Sequence, residues 1–151
     1  MIKNLNFKKL SPKDMPYFEK LIILFEEVFE MKGFSMPKSE YLYELLGKEG
    51  FHVFIALKEG SVIGGLTAYT LNQYYSEKPL AYIFDLAVAN QWQRQGIGNS
   101  LIMQTKSYFL QNGYSEVFVQ ADRVDDYAVD FYRKTNPTEE EDVLHFYYAL
   151  K

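Results

Sequence analysis

NQWQRQGIGNSL, Asn90–Leu101, is the stretch on which the reading turns. Glutamines flank an arginine, two glycines follow, and a helix-like apolar pattern begins at Ile97. A helix start carries unpaired backbone N–H groups and a partial positive charge, so it attracts anions. Glycine tolerates positive φ and lets phosphate oxygens come close to the main chain. Arg94 adds a full charge and forked donors. The stretch therefore suits a phosphate or diphosphate, or else serves as a plain strand-to-helix connection. It is not the dinucleotide fingerprint, because the third glycine of that motif is missing.

The residues just before it narrow the choice. In AYIFDLAV, strict alternation places Tyr82, Phe84, Leu86 and Val88 on one face and Ile83, Asp85 and Ala87 on the other. Aspartate is depleted in strands, so a lone Asp85 in mid-strand requires a reason: an exposed edge, a buried cation partner, or a place in a site.

Working outward, residues 2–10 read as a first strand. Ser11, Pro12 and Asp14 read as a capped helix start. Phe18, Leu21, Ile22, Phe25, Val28 and Phe29 recur at helical spacing up to a stop at Gly33, and a shorter helix is expected over Lys38 to Leu46. FHVFIAL, the turn KEGS and VIGGLTAYTL form a hairpin, with Gly64-Gly65 marking a bulge or a close approach. After the helix from Ile97 to Asn112 come the strand SEVFVQA, a helix from Asp126 to Lys134, and a last strand, VLHFYYAL. No repeat or linker interrupts the chain. The order predicts one α/β domain over 1–151, with a mixed, mostly antiparallel sheet flanked by about four helices.

Composition limits the function. The 151 residues hold 16 Lys+Arg against 20 Asp+Glu, a formal net charge of −4. With no basic run, nucleic acid is not the expected partner. A small cationic ligand suits the balance. Cysteine is absent, which removes disulfides, thiolate metal sites and cysteine nucleophiles. With two histidines and no tight carboxylate spacing, no metal site is expected. MIKNLNFKKL has no apolar signal core and no run is long enough to span a bilayer, so a cytoplasmic protein without membrane partners is expected. The aromatic VLHFYYAL suits burial in the core or, failing that, a homodimer contact.

Gln93-Arg94-Gln95-Gly96-Ile97-Gly98, directly after the DLAV strand, resembles the Gln/Arg-x-x-Gly-x-Gly/Ala signature of the GNAT family of N-acetyltransferases. DDYAVDFYRK, Asp125–Lys134, resembles that family's Asn-x-x-Ala-x-x-Phe-Tyr-x-Lys helix, with Asp125 in place of Asn and TNP in place of the usual Gly-Phe. YIFDLAV, RQGI, VQAD and the upstream YLYELL and VIGGLTAYTL are similar to the type I aminoglycoside 3-N-acetyltransferase subgroup.

The resemblance implies a GNAT fold and acetyl-CoA as co-substrate. Its diphosphate would lie on the backbone N–H groups of Gln95, Gly96, Ile97, Gly98 and Asn99, with Gln93, Arg94, Asp125 and Ala128 also on the cofactor side. Its pantetheine would pair along Leu86, Ala87 and Val88, with the Val88 N–H directed at the thioester carbonyl. Asp85 is the implied base or ammonium anchor and Tyr132 the implied acid for the departing thiolate. Asp85, Gln120, Asp122 and Asp126 would bind the cationic acceptor. The acid run Glu139–Asp142 is either a further contributor or a solvated face. The expected reaction is acetylation of a small amine, foremost the 3-amino group of an aminoglycoside. A polyamine, amino sugar or peptide amine is the alternative acceptor, and a non-catalytic acyl-CoA binder the alternative class.

Overall fold

The computed structural model describes residues 2–151 and resolves two compact units, one running through Gln120 and the other covering Ala121–Lys151. The larger unit is built on five strands in spatial order β1-β2-β3-β4-β5: β1 (Leu5–Lys9), β2 (Phe51–Lys58), β3 (Ser61–Leu71), β4 (Leu80–Val88) and β5 (Glu116–Val119). The first four pair antiparallel and β5 joins β4 in parallel. Both halves of the expectation, a mixed sheet and an antiparallel front, are met.

Helix α1 (Met15–Val28) follows a single 3-10 turn at Pro12–Asp14. The Ser11 N–H donates to the Asp14 carboxylate at 2.8 Å, the capping acid read from the sequence. The helix stops before Gly33. Glu30 takes the left-handed conformation (φ 50°), and the Met31 N–H donates to the Glu26 carbonyl at 3.1 Å, closing the end five residues beyond its start. Helix α2 (Ser39–Leu46) is as expected, and α3 (Ile97–Gln111) ends on Gly113, with φ 82°.

The two sheet faces are distinct. One carries Phe51, Val53 and Ile55 of β2 against Leu21, Phe25, Leu42 and Leu46 of α1 and α2. The other carries His52 and Phe54 against Tyr108 and Phe109 of α3. Gly65 marks the closest approach on the first face: a Cβ there would stand 2.7 Å from a Leu21 methyl and 2.8 Å from the Phe54 carbonyl oxygen.

The C-terminal unit contains α4 (Asp126–Lys134), followed by residues in no helix or strand of that unit. Arg133 donates twice to Glu140, at 2.9 and 2.8 Å, and Arg123 donates to Asp142 at 3.1 Å. Two members of the acid run are thus engaged with arginines of their own unit. Within its own unit VLHFYYAL, expected as a strand, has no ladder partner.

Candidate active site

The register of β4 departs from simple alternation. Thr67 pairs with Asp85 and Ala68 with Ile83, so Phe84 is an extra residue bulged out of the ladder. The bulge moves Asp85 to the face of Tyr82 rather than that of Ile83, correcting the alternation read from the sequence. The Asp85 N–H donates to the Thr67 hydroxyl at 3.3 Å. Its carboxyl is half-buried, and that burial raises its pKa above the ordinary carboxylate value. A base for an amine needs this shift, since an ordinary aspartate is too weak.

β4 also outruns its neighbour. β5 pairs only with Leu80–Ile83, so Leu86, Ala87 and Val88 continue beyond the last β4–β5 pair. Among the described residues that stretch has no ladder partner on the β5 side, and such an edge suits an extended chain forming strand-like hydrogen bonds.

The loop that follows turns through Asn90–Trp92, and Gln93 braces it. Its side-chain amide donates to the Val88 carbonyl at 2.9 Å and to the Asn90 side chain at 3.2 Å. Gln95 likewise donates to the Gln91 carbonyl. These glutamines set the path of the loop, a role the sequence reading had not separated from cofactor contact. Arg94 takes φ 63° and Gly96, the N-cap of α3, φ 84°. The first bond of the helix is Ser100 N–H to Gly96 carbonyl, at 3.0 Å. The N–H groups of Ile97, Gly98 and Asn99 precede it at the positive end of a 15-residue helix. Gly96 is exposed, with nothing within 4 Å of where a Cβ would stand. Trp92 is half-buried with the Lys58 ammonium 5.9 Å from its ring centre.

A row of rings runs beside Asp85 that the sequence did not disclose. Phe51 and Tyr69 lie 5.3 Å apart, Tyr69 and Phe84 5.8 Å, Tyr82 and Phe84 5.9 Å, and Tyr82 stacks on Phe118 at 4.8 Å. The Tyr82 hydroxyl donates to Gln120 at 3.3 Å, bringing that predicted acceptor contact to the end of the row. Burial, then the charge of Asp85 and the hydroxyl of Tyr41, raise the Tyr69 pKa, so Tyr69 lies in the surroundings of the carboxylate. Phe84 is 56% exposed and Tyr41 58%. The signal was the aromatic content of YLYELL and AYIF, but without the bulge the two could not be joined to Asp85.

In the C-terminal unit, Asp125 caps α4 by accepting from the Ala128 N–H at 3.1 Å. An aspartate can serve there where the family pattern has asparagine. Asp122 accepts from the Val124 N–H in the preceding turn. Asp126 opens the helix and Tyr132 lies in its last turns, half-buried. Among the described residues no cluster of His, Asp or Glu is arranged to hold a metal ion, and no helix is long and apolar enough to cross a membrane.

A mixed sheet that opens beside a glycine-led helix start is the frame of one acyltransferase class. The profile described as the acetyltransferase (GNAT) family matches residues 17–136, and the chain belongs to that family of acetyl-CoA-dependent N-acetyltransferases. More narrowly, it is 60% identical to the aminoglycoside acetyltransferase meta-AAC0020 from an uncultured soil metagenomic sample, solved with trehalose, at a TM-score of 0.96 over 98% of this chain and 97% of that one. The same protein with sisomicin aligns at 59% identity and a TM-score of 0.97, over the same shares of both chains. The aminoglycoside acetyltransferase HMB0005, also from an uncultured soil sample, is 36% identical, with a TM-score of 0.90 over 97% and 99% of the two chains. At the level of fold alone, the aminoglycoside N-acetyltransferase AAC(6')-Iy in complex with CoA aligns at 14% identity and a TM-score of 0.77, over 97% and 95% of the two chains. No curated protein matches.

Proposed function

We propose that this chain transfers the acetyl group of acetyl-CoA to an amine of an aminoglycoside, foremost the 3-amino group, in the cytoplasm. The observation that carries the reading is the 59% identity, over almost the whole of both chains, to an aminoglycoside acetyltransferase bound to sisomicin.

Acetyl-CoA supplies the acetyl group as an activated thioester. The N–H groups of Ile97, Gly98 and Asn99, behind Gly96 and beside Arg94, are the fitting seat for its diphosphate, with no metal required. The open edge at Leu86–Val88 offers main-chain partners to its pantetheine, and the Val88 N–H is assigned to the thioester oxygen, where negative charge grows.

Asp85 holds the acceptor ammonium and takes its proton, directly or through one water. Burial raises its pKa above the ordinary carboxylate value, the direction the task requires. Tyr69, Phe84 and Tyr82 offer flat ring faces to the acceptor's sugar rings and ammonium groups. Gln120 offers a hydrogen bond to a hydroxyl, and Asp122 and Asp126 take outlying charges. Tyr132 donates a proton to the departing sulfur.

Thiol-release kinetics with sisomicin, spermidine and a lysine peptide side by side test the assignment. The expected order places sisomicin highest in kcat/KM. Higher efficiency with spermidine or the peptide would overturn the acceptor, and tight CoA binding without thiol release from any amine would overturn the transferase.

A further inference from the structure

Thr67 is a polar side chain at a position built for an apolar one. It lies in the middle of β3, 7% exposed, between the fully buried Leu66 and Ala68. Its partner on β2 is Val53, also fully buried and part of the core formed with α1 and α2. Valine has the shape of threonine without a hydroxyl to desolvate, so packing alone favours valine here. A buried hydroxyl costs free energy unless it is hydrogen-bonded.

This hydroxyl has its partner at the bulge, where Oγ1 accepts the Asp85 N–H at 3.3 Å. The ladder is fixed on both sides of that point, Tyr69 pairing with Tyr82 and Gly65 with Ala87. Between those pairs β3 supplies Leu66, Thr67 and Ala68, while β4 supplies Ile83, Phe84, Asp85 and Leu86. One β4 residue must therefore stay out of the ladder, and which one it is decides where Asp85 points. With Phe84 out, Asp85 stands opposite Thr67. With Asp85 or Leu86 out, Phe84 would stand there and the carboxylate would lose its place.

Burial of apolar surface favours the second arrangement, since Phe84 as the bulged residue is 56% exposed. The observed one turns an aromatic ring outward and a carboxylate inward. Thr67 accounts for the choice. A ring laid over it would bury the hydroxyl against carbon, whereas the Asp85 N–H satisfies it. The β-branched side chain is stiff at χ1, so the acceptor stays aimed at the bulge.

We propose that Thr67 is a positioning residue of the acetyl transfer, its hydroxyl locking the β4 bulge at Phe84 and so keeping the Asp85 carboxylate beside Tyr69. The effect on turnover rests on Asp85 as the base, as proposed above; the lock itself does not.

Amide hydrogen exchange on the full chain tests the lock without any assay of activity. In Thr67→Val the Asp85 amide should exchange about tenfold faster than in wild type, the scale of one lost hydrogen bond, while the other amides of β3 and β4 keep their rates. Thr67→Ser retains the acceptor and should stay near wild type. If Thr67→Val fails to fold, Thr67→Ala removes the same hydroxyl. An Asp85 amide that keeps its wild-type rate, or quickens only in step with the rest of the sheet, overturns the proposal.

Thr67→Val should also lower kcat by about ten- to a hundredfold at unchanged CoA affinity, and Thr67→Ser should recover most of it. In an Asp85→Asn background Thr67→Val should cost nothing more, because Thr67 acts through Asp85. Losses that multiply in the double variant, or a serine as poor as the valine, would overturn the positioning role. If Asp85→Asn is itself fully active, the base assignment fails while the exchange rates still decide the lock.

Discussion

Asp85 and Thr67 are ladder partners on the α1–α2 face of the sheet, with the Asp85 N–H 3.3 Å from the Thr67 hydroxyl and Phe84 bulged out beside them. This pairing places a half-buried carboxylate next to a row of rings, and the chemistry follows from it.

Replacing Asp85 by Asn should lower kcat/KM by about 100-fold or more at neutral pH, the scale of a lost general base. The base acts deprotonated and its pKa is raised, so the wild-type rate should climb with pH above the ordinary carboxylate range. Asp85→Asn should remove that limb, and an unchanged pH–rate profile would dismiss Asp85 as the base. The same variant should be more stable at pH 7. A carboxyl whose folded pKa is raised stabilises the fold while protonated and loses that contribution as pH rises through the folded value.

Tyr132→Phe should reduce kcat by about 100-fold and leave CoA affinity as it was. Gly96→Val should do the reverse. A β-branched residue at φ 84° costs about 1–2 kcal/mol of strain, so the helix start shifts and CoA binding weakens by about tenfold. Equal effects of both changes on CoA affinity in calorimetry would refute the division of roles.

His52 should make the fold acid-sensitive. Its Nε2 lies 2.8 Å from the Thr70 hydroxyl, and its buried Nδ1 has no hydrogen-bond partner among the described residues. Burial, with a smaller part from the Lys9 charge, lowers its pKa to about 4 from the ordinary 6.5. The unfolded chain therefore binds a proton first as pH falls. Stability should be full above pH 6.5 and drop by about 3 kcal/mol between there and pH 4. In His52→Gln the fall in Tm between pH 7 and pH 5 should be smaller; an equal fall would show that other groups set the acid limb.

Gly65→Ala should destabilise by about 1–3 kcal/mol, because the new methyl meets both a Leu21 methyl and the Phe54 carbonyl, and the backbone oxygen has no room to retreat. Chemical denaturation reads it directly. A variant as stable as wild type would mean that α1 can move off the sheet at little cost.

Much of this was legible in the chain. Gln93 to Gly98 after DLAV gave the family, Gly64-Gly65 the close approach, and Ser11 with Asp14 the start of α1, since each is a local rule written in adjacent residues. The face of Asp85 was not legible. Alternation has no way to register a bulge, and the extra residue, Phe84, is an ordinary strand former. The left-handed Glu30 ended α1 before the glycine expected to do so. VLHFYYAL was read as a strand because its composition is that of one, but composition does not name the strand it pairs with.

The most direct measurement is a crystal structure of the chain with CoA and sisomicin together. The account predicts the diphosphate on the N–H groups of Ile97, Gly98 and Asn99, the pantetheine along Leu86–Val88, and an acceptor amine within hydrogen-bond reach of Asp85. A diphosphate held elsewhere, or an acceptor whose amines all lie away from Asp85, would contradict it.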